Sequence, residues 1–224
     1  DYFSGKRNIF IEVKSSLGEE DSIWVNQFFR KFEEMPQVEK TALKNCKGKI
    51  LDVGAGGGAH SLYLKQKGFS VKPIDISQGA TEVMISGGLE EAECIDFFEL
   101  ENQTFDTILM MMNGIGIVGE LNRLEKFFKK SEELLNPGGQ IILDSSDISY
   151  MFQDKNGDFE FDFDKYYGEV TYQMKYSNIE GERFNWLFVN YHTLKAYAEK
   201  LGFSSELLFK SSENAYSCIC RPED

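Results

Sequence analysis

Residues 49–59 read Lys-Ile-Leu-Asp-Val-Gly-Ala-Gly-Gly-Gly-Ala, an apolar run that leads into a cluster of glycines. Glycine is required where a chain turns sharply, or where backbone lies against a ligand with no Cβ in between. The pattern therefore predicts a strand, a ligand-binding turn and then a helix. Asp52 stands two residues before Gly54, where its carboxylate disfavours a pyrophosphate and favours a cationic ligand.

Short apolar runs alternate with helical stretches from Lys49 onward, which is typical of a parallel sheet with crossover helices. Five strands are predicted at 49–53, 70–74, 92–95, 105–112 and 140–144, and two more at 205–210 and 215–220. Helices are predicted at 59–67, 77–86, 121–135 and 191–201. The sequence thus predicts an α/β fold with a Rossmann-like, doubly wound, mostly parallel seven-stranded sheet.

The first 46 residues are predicted to form an N-terminal helical extension or lid. Trp24, Phe28 and Phe32 follow a helical spacing from about Ser22, and Pro36 interrupts the run. We expect the main domain to span residues 47–224. The chain begins with Asp1 where a native protein has Met, so we expect that native residues precede it.

Residues 150–190 interrupt the alternation and are predicted as an insert in the main domain. Segments 170–176 and 184–189 predict a β-hairpin that turns at 178–182. Acidic and aromatic residues alternate in 158–164, which predicts a strand with one solvated face. The acidic spacing does not match a calcium-binding EF-hand loop. We expect this lobe and the N-terminal extension to cover the substrate pocket.

The glycine segment resembles motif I of the class I S-adenosylmethionine-dependent methyltransferases, whose pattern is Asp/Glu-x-Gly-x-Gly-x-Gly. The resemblance covers residues 49–144 well and the C-terminal segment loosely. It implies methyl transfer as the reaction and S-adenosyl-L-methionine as the cofactor. In that family the acidic residue accepts a hydrogen bond from the methionine amino group, and the glycine backbone packs against the amino acid portion. The residues that inherit these roles are Asp52, Gly54, Ala55, Gly56 and Gly58.

Two further acidic positions agree with that family. Asp75 closes the second predicted strand and resembles the residue that binds both ribose hydroxyls, because a carboxylate accepts two hydrogen bonds at once. Asp96 resembles the residue that accepts from the adenine amino group. The alternatives are that Asp75 caps the helix near Ser77 and that Asp96 is a solvated turn residue. The other implied cofactor contacts are Ile76, Phe97, Met111 and Met112. The resemblance implies that Phe97 covers the adenine ring, with Phe98 as the alternative, because alternating strand faces make only one of the two available.

Substrate residues are expected after the fourth and fifth strands, because ligands bind at the carboxyl ends of strands in open α/β sheets. Asn113 follows the fourth strand, without the Asn-Pro-Pro-Tyr pattern of methyltransferases that act on the amino groups of adenine or glutamine. Asp147 and Tyr150 follow the fifth. We expect these three to position the acceptor, with helix capping as the alternative for Asp147. His60 and His192 are expected to be structural, and no catalytic residue is assigned.

The composition limits the class of molecule that we expect as the methyl acceptor. Lys and Arg number 24 against 37 Asp and Glu in 224 residues, a formal charge of −13. This charge repels polyanions, so neither nucleic acid nor an anionic membrane surface is an expected partner. The expected acceptor is a small molecule, neutral or cationic. Four cysteines and the lack of a long apolar run predict a cytoplasmic protein, and no Cys or His spacing predicts a metal site.

Two other functions share part of this pattern. A nicotinamide-dependent (NAD) oxidoreductase shares the spacing Gly54-x-Gly56-x-x-Ala59, but it leaves Asp52 unexplained and no Tyr-x-x-x-Lys pair is recognisable for hydride transfer. A binding protein that kept the cofactor loop and lost turnover is the other, because methyltransferases often lack a general base. The resemblance favours the methyltransferase.

Overall fold

This computed structural model describes residues 1–2, 5–6, 8–18, 20–154, 156, 158–159 and 165–223. The described part of the chain contains eleven strands and five α-helices. The strands are β1 (Phe10–Ser15), β2 (Glu20–Trp24), β3 (Lys49–Val53), β4 (Ser70–Asp75), β5 (Glu93–Cys94), β6 (Phe105–Met110), β7 (Leu135–Ser146), β8 (Glu169–Tyr176), β9 (Ile179–Leu187), β10 (Phe203–Lys210) and β11 (Ala215–Pro222). The helices are α1 (Gln37–Lys44), α2 (Ala59–Gln66), α3 (Gln78–Ser86), α4 (Leu124–Leu134) and α5 (Tyr191–Lys200).

The central sheet has seven strands in the order β10-β11-β7-β6-β3-β4-β5. Strands β7, β6, β3, β4 and β5 run parallel, whereas β11 runs antiparallel to both of its neighbours. Helices α4 and α5 pack on one face through Phe127, Phe128 and Leu194, and α1 and α2 pack on the other through Leu43 and Leu64. The predicted Rossmann-like, mostly parallel seven-stranded sheet is therefore confirmed.

Burial on both faces explains why the central strands are almost continuously apolar. Ile108, Leu109 and Met110 in β6 have no solvent exposure, because alternate side chains face the two helical layers. The strand ends at Met110 and not at Met112 as predicted, since Met112 has a left-handed backbone with φ +66 that ends the ladder. The last methionines of the run therefore lie in the loop beyond the carboxyl end of β6.

The N-terminal region is not the helical extension that the sequence predicts. Phe10–Ser15 and Glu20–Trp24 form β1 and β2. Short 3-10 helices follow at Val25–Phe29 and Phe32–Glu34, and the α-helix α1 begins only after Pro36. The helical prediction was wrong because the aromatic side chains do not share one face. Phe32 stacks on Tyr63 of α2, while Trp24 lies at the surface. Helix α1 packs on the central sheet, so it is part of the main domain's core.

The predicted β-hairpin of the insert is confirmed as β8 and β9, which turn at residues 177–178, slightly earlier than expected. Strand β1 pairs antiparallel with β8, and β2 pairs with β1. The N-terminal region and the insert thus form one four-stranded sheet, β2-β1-β8-β9, which we call the lobe sheet. Residues 160–164, where the alternating acidic strand is expected, lie outside the described residues. No helix among the described residues has the length and apolar character needed to cross a membrane.

Candidate active site

The glycine loop connects β3 to α2 in the strand, turn and helix order that the sequence predicts. Gly54, Gly56 and Gly58 have φ values of +68, +56 and +80. These are left-handed conformations in which a side chain is unfavourable. The N–H groups of Gly54 and Ala55 donate to the carbonyl of Ile74 in β4, at 2.9 and 3.0 Å. The loop is therefore fixed at the carboxyl edge of the sheet by the neighbouring strand.

Asp75 lies at the end of β4, next to this loop. Its carboxylate accepts from the N–H of Gly56 and from the N–H of Ser77, each at 2.9 Å. Ser77, and not Asp75, caps α3. Ile76 follows with 77% of its surface exposed, which leaves an apolar side chain beside the loop with room for a ring to pack on it.

Of the two residues that we expect to contact adenine after β5, one is accessible and the other is buried. Asp96 is exposed and accepts from the N–H of Phe98 at 2.8 Å, so it caps a short 3-10 helix. Phe97 is 2% exposed and packs against Phe127 in the core. The expectation that Phe97 covers the adenine ring is contradicted, because its side chain points to the interior between the sheet and α4. No spacing argument could have separated Phe97 from its neighbour Phe98.

A buried group of charged residues lies behind the glycine loop. Glu39 of α1 forms ion pairs with Arg30 and with Nε2 of His60, the latter at 2.8 Å. Although burial opposes ionisation, these two partners hold the pKa of Glu39 below its ordinary value. Burial also disfavours a charged His60, yet Glu39 and nearby Asp52 raise the pKa of its imidazole. The Nε of Arg30 is buried and has no hydrogen-bond partner among the described residues.

Asp52 ties the end of β3 to the first turn of α2. It is 1% exposed and accepts from the hydroxyl of Ser61 at 2.6 Å and from the N–H of the same residue. Burial raises the pKa of Asp52, and His60 and Ser61 oppose part of this increase. A carboxylate in this environment costs free energy unless it is well bonded, so its position beside the glycine loop is closely constrained.

A third buried carboxylate, Asp144, lies near the end of β7. It accepts from the N–H of Gly114 at 3.1 Å and also from the N–H of Asn113. Burial raises the pKa of Asp144 to about 6, against the opposing effect of these two N–H groups. Met112 and Asn113 both have left-handed φ values, +66 and +56. Non-glycine residues adopt this conformation at a cost, and the bonds to Asp144 help to hold the turn.

A cavity of about 700 Å³ lies between these strand ends and the inner face of the lobe sheet. Its floor is formed by the loops after β3 and β6 and by the end of β7. Side chains alternate along each lobe strand, so one face of the lobe sheet forms its roof. The roof and side residues include Val13, Ile23, Phe28, Tyr172, Met174, Phe184, Trp186 and Phe188.

Eight of the fourteen sequence-predicted site residues line the cavity, whereas the other six do not: Gly58, Asp75, Ile76, Asp96, Phe97 and Asp147. Those that line it are Asp52, Gly54, Ala55, Gly56, Met111, Met112, Asn113 and Tyr150. Asp147 does not line it within the described part of the chain. It accepts from the N–H of Ser149 and from the hydroxyl of Tyr167. The N-cap of the 3-10 helix Ser149–Phe152 is Ile148, so the capping alternative for Asp147 was also wrong.

Sequence reasoning missed several residues that the fold brings to this cavity. Arg30 and Glu39 precede the glycine loop in a region expected to be a separate extension, and Asp144 was assigned only to the fifth strand. Trp186 was assigned only to a hairpin. The local signals were that Asp144 ends the apolar run 141–143, and that Glu39 stands at helical spacing from Met35 and Leu43. A charged residue at such a position indicates a buried charge with a specific partner.

Comparison with known proteins agrees with this geometry. The family model described as "Methyltransferase domain" matches residues 27–207. A crystal structure of a SAM-dependent methyltransferase from Bacteroides fragilis, in complex with S-adenosyl-L-homocysteine, is 42% identical with a TM-score of 0.93, over 100% of this chain and 91% of that one. An S-adenosylmethionine-dependent methyltransferase from Clostridium acetobutylicum ATCC 824 shares the fold, at 16% identity and a TM-score of 0.61, over 86% of this chain and 94% of that one.

A curated relative, a methyltransferase of Geobacillus sp. (strain WCH70), is 27% identical over 115 residues, which cover 47% of each chain. The chain therefore spans about half the length of the curated relative that it matches. The nicotinamide alternative has no support beyond the glycine spacing, whereas the fold, the loop and the family model agree. The chain belongs to the class I S-adenosylmethionine-dependent methyltransferases.

Proposed function

We propose that this methyltransferase transfers a methyl group to a small molecule, neutral or cationic, that binds in the cavity beneath the lobe sheet. The observation that carries the proposal is the enclosure itself. The lobe sheet covers the carboxyl ends of β3, β6 and β7, and the volume of about 700 Å³ falls within the range of small-ligand sites. A folded protein or a nucleic acid duplex does not fit under such a roof.

The residues present fit S-adenosylmethionine along the glycine loop. We propose that Asp75 binds the ribose hydroxyls, that Ile76 packs on the adenine ring and that Asp96 binds its amino group. Asp52 faces the amino group of the methionine portion. The buried Nε of Arg30, which has no hydrogen-bond partner among the described residues, and the N–H groups at the start of α2 offer donors to its carboxylate.

The bound cofactor supplies a methyl group on a sulfonium sulfur, so the protein's own task is alignment and exclusion of water. Asn113 lies at the end of β6, where its amide oxygen accepts from the hydroxyl of Ser146 at 3.0 Å. This bond orients the amide toward the cavity beside Met112. Tyr150 lies at the rim with 56% exposure. We propose that these two residues position the acceptor.

The charges around the cavity support a neutral or cationic acceptor. Carboxylates outnumber basic groups among the residues that line it: Asp21, Glu39, Asp52, Asp144 and Glu213 against Arg30 and His60. Together with the net charge of −13, this disfavours an anionic acceptor and nucleic acid. The four cysteines are free thiols, in keeping with a reducing, cytoplasmic setting that we also propose.

The test is to follow the methyl group. The protein is incubated with S-adenosylmethionine that carries a tritiated methyl group and with a cell extract, which is then separated into small molecules, protein and nucleic acid. The proposal predicts label in the small-molecule fraction. Label that depends on the enzyme but appears in protein or nucleic acid contradicts it. Gly56→Val is the control, because a β-branched residue at φ +56 distorts the loop and should abolish labelling.

A further inference from the structure

Asp144 differs from the other buried carboxylates of the cavity in its partners. Glu39 pairs with Arg30 and His60, and Asp52 bonds to Ser61. Asp144 is 6% exposed and lines the cavity, yet no ion pair reaches it within the described part of the chain, and its partners are two backbone N–H groups. A buried carboxylate with no cation beside it is costly, so a cationic partner at this point is strongly favoured.

The surroundings of Asp144 have spare hydrogen-bonding capacity. Ser217 of β11 lies directly opposite Asp144 in the antiparallel pair with β7, and opposite residues project to the same face of a sheet. Its hydroxyl is fully buried and has no hydrogen-bond partner among the described residues. Two polar side chains therefore lie together on one face of the sheet, and neither has a charged partner within the described part of the chain.

The roof above this floor is aromatic. Phe184, Trp186 and Phe188 occupy alternate positions of β9 and its continuation, and Tyr172 of β8 pairs directly with Phe184. All four are half-buried and line the cavity. Aromatic faces attract cations through their quadrupoles, and the attraction grows when the site excludes water. A carboxylate below and aromatic rings above form a site for a nitrogen cation attached to an apolar body.

We propose that the methyl acceptor is an amine whose nitrogen binds the carboxylate of Asp144, an assignment that rests on the proposed function. The bound ammonium first gives one proton to the carboxylate of Asp144, which frees the lone pair of the nitrogen. That lone pair forms the new N–C bond to the methyl carbon as the C–S bond breaks and the sulfur keeps the electron pair. The product leaves as a methylammonium, and the proton held by Asp144 passes to solvent. The side chain of Asn113, held by Ser146, orients the remaining N–H.

The experiment is a ligand-detected NMR screen on the full chain with S-adenosylhomocysteine at saturation. The probes are aralkyl and cyclic amines, each with an alcohol and a carboxylate of the same carbon skeleton. The wild type should bind each amine in preference to the alcohol and the carboxylate of the same skeleton. Asp144→Asn should reduce that preference by about tenfold or more. Asparagine keeps an oxygen for the N–H groups of Asn113 and Gly114, so it preserves the turn.

The control is Asp106→Asn. Asp106 also binds a backbone N–H, that of Lys49 at 2.7 Å, but it lies at the opposite end of the sheet, so the preference should not change. Absence of amine binding by the wild type, equal binding of alcohols and carboxylates, or an intact amine preference in Asp144→Asn each overturns the proposal. The labelling experiment separates this result from failure of the proposed function, which would show as enzyme-dependent label in protein or nucleic acid.

Discussion

The carbonyl oxygen of Phe28 occupies the space in which a side chain on Gly57 would begin. Gly54, Gly56 and Gly58 need glycine for their left-handed backbone, but Gly57 does not have a positive φ. Glycine is required at 57 because the N-terminal segment lies against the loop. The middle glycine of the Gly56–Gly58 run is therefore required for the N-terminal segment to close over the site.

Gly57→Ala tests that closure. The added methyl group should push Phe28 and its neighbours off the loop, exposing Arg30 to water and weakening the binding of S-adenosylhomocysteine by about tenfold or more. Calorimetry measures the affinity, and hydrogen exchange of residues 25–30 measures the displacement. Gly79→Ala is the matched control, since the nearest atom to a Cβ there is Ser77 Oγ at 3.9 Å. Unchanged affinity and exchange in Gly57→Ala would refute the closing role.

Arg30→Gln tests the proposed carboxylate contact. Removing the guanidinium should weaken the binding of S-adenosylhomocysteine by about 10- to 100-fold, because a charge-assisted hydrogen bond in a buried site is lost. The comparison ligand is 5′-methylthioadenosine, which lacks the amino acid portion. Its affinity should change little. Equal losses for both ligands would mean that Arg30 acts through the fold and not through the carboxylate.

Glu39→Gln tests the charged group behind the glycine loop. Glu39 is 3% exposed, so its loss leaves Arg30 and His60 buried without their carboxylate. We expect the free energy of unfolding at neutral pH to fall by roughly 3 kcal/mol. The pKa of His60, followed by NMR of its ring, should also fall. Glu125→Gln removes an exposed pair with Lys129 and should have no measurable effect. A Glu39→Gln variant with the same free energy of unfolding as the wild type would contradict the account.

Asp144 makes a prediction about pH. The pKa of its carboxyl is about 6 in the fold against an ordinary 3.8, so between these values the folded state binds more protons than the unfolded state. Stability from this group is therefore highest at low pH and falls as the pH rises through 6. The difference amounts to roughly 3 kcal/mol.

The measurement is denaturant unfolding of the wild type and Asp144→Asn between about pH 4 and pH 7. Asparagine does not ionise, so the variant should gain stability relative to the wild type as the pH rises. The other titrating groups are common to both proteins and cancel in the difference. A difference that is constant with pH, or that changes in the opposite direction, would show that the carboxyl of Asp144 is not shifted as described.

The sequence predicted those parts of the fold whose signals are local. Strand β3, the glycine turn and α2 follow from one run of residues, and Asn190, which caps α5, lies next to the helix that it begins. The lobe sheet could not be predicted in this way. Its β1 pairs with β8, so Glu12 lies opposite Lys175 although most of the sequence separates these two residues. Aromatic residues spaced like a helix gave the wrong structure because each packs against a different partner.

The same reasoning applies to the site. Asp75 was named through the family resemblance, and the structure places it beside the glycine loop through its bond to Gly56, while its role toward the ribose stays a prediction. Phe97 and Asp147 could not be judged, because their burial and bonding depend on α4 and on Tyr167. Asp144 gains its significance from Gly114, Ser217 and the roof of β9, and these residues meet only in the folded chain.

The most direct test of the account is a crystal structure of the protein with S-adenosylhomocysteine bound. The account predicts the ribose hydroxyls at hydrogen-bond distance from Asp75, the amino acid carboxylate on Arg30 and the first turn of α2, and the sulfur facing the cavity beside Asn113. A ligand that lies along the glycine loop with its sulfur directed away from the cavity, or that binds outside the loop, would contradict it.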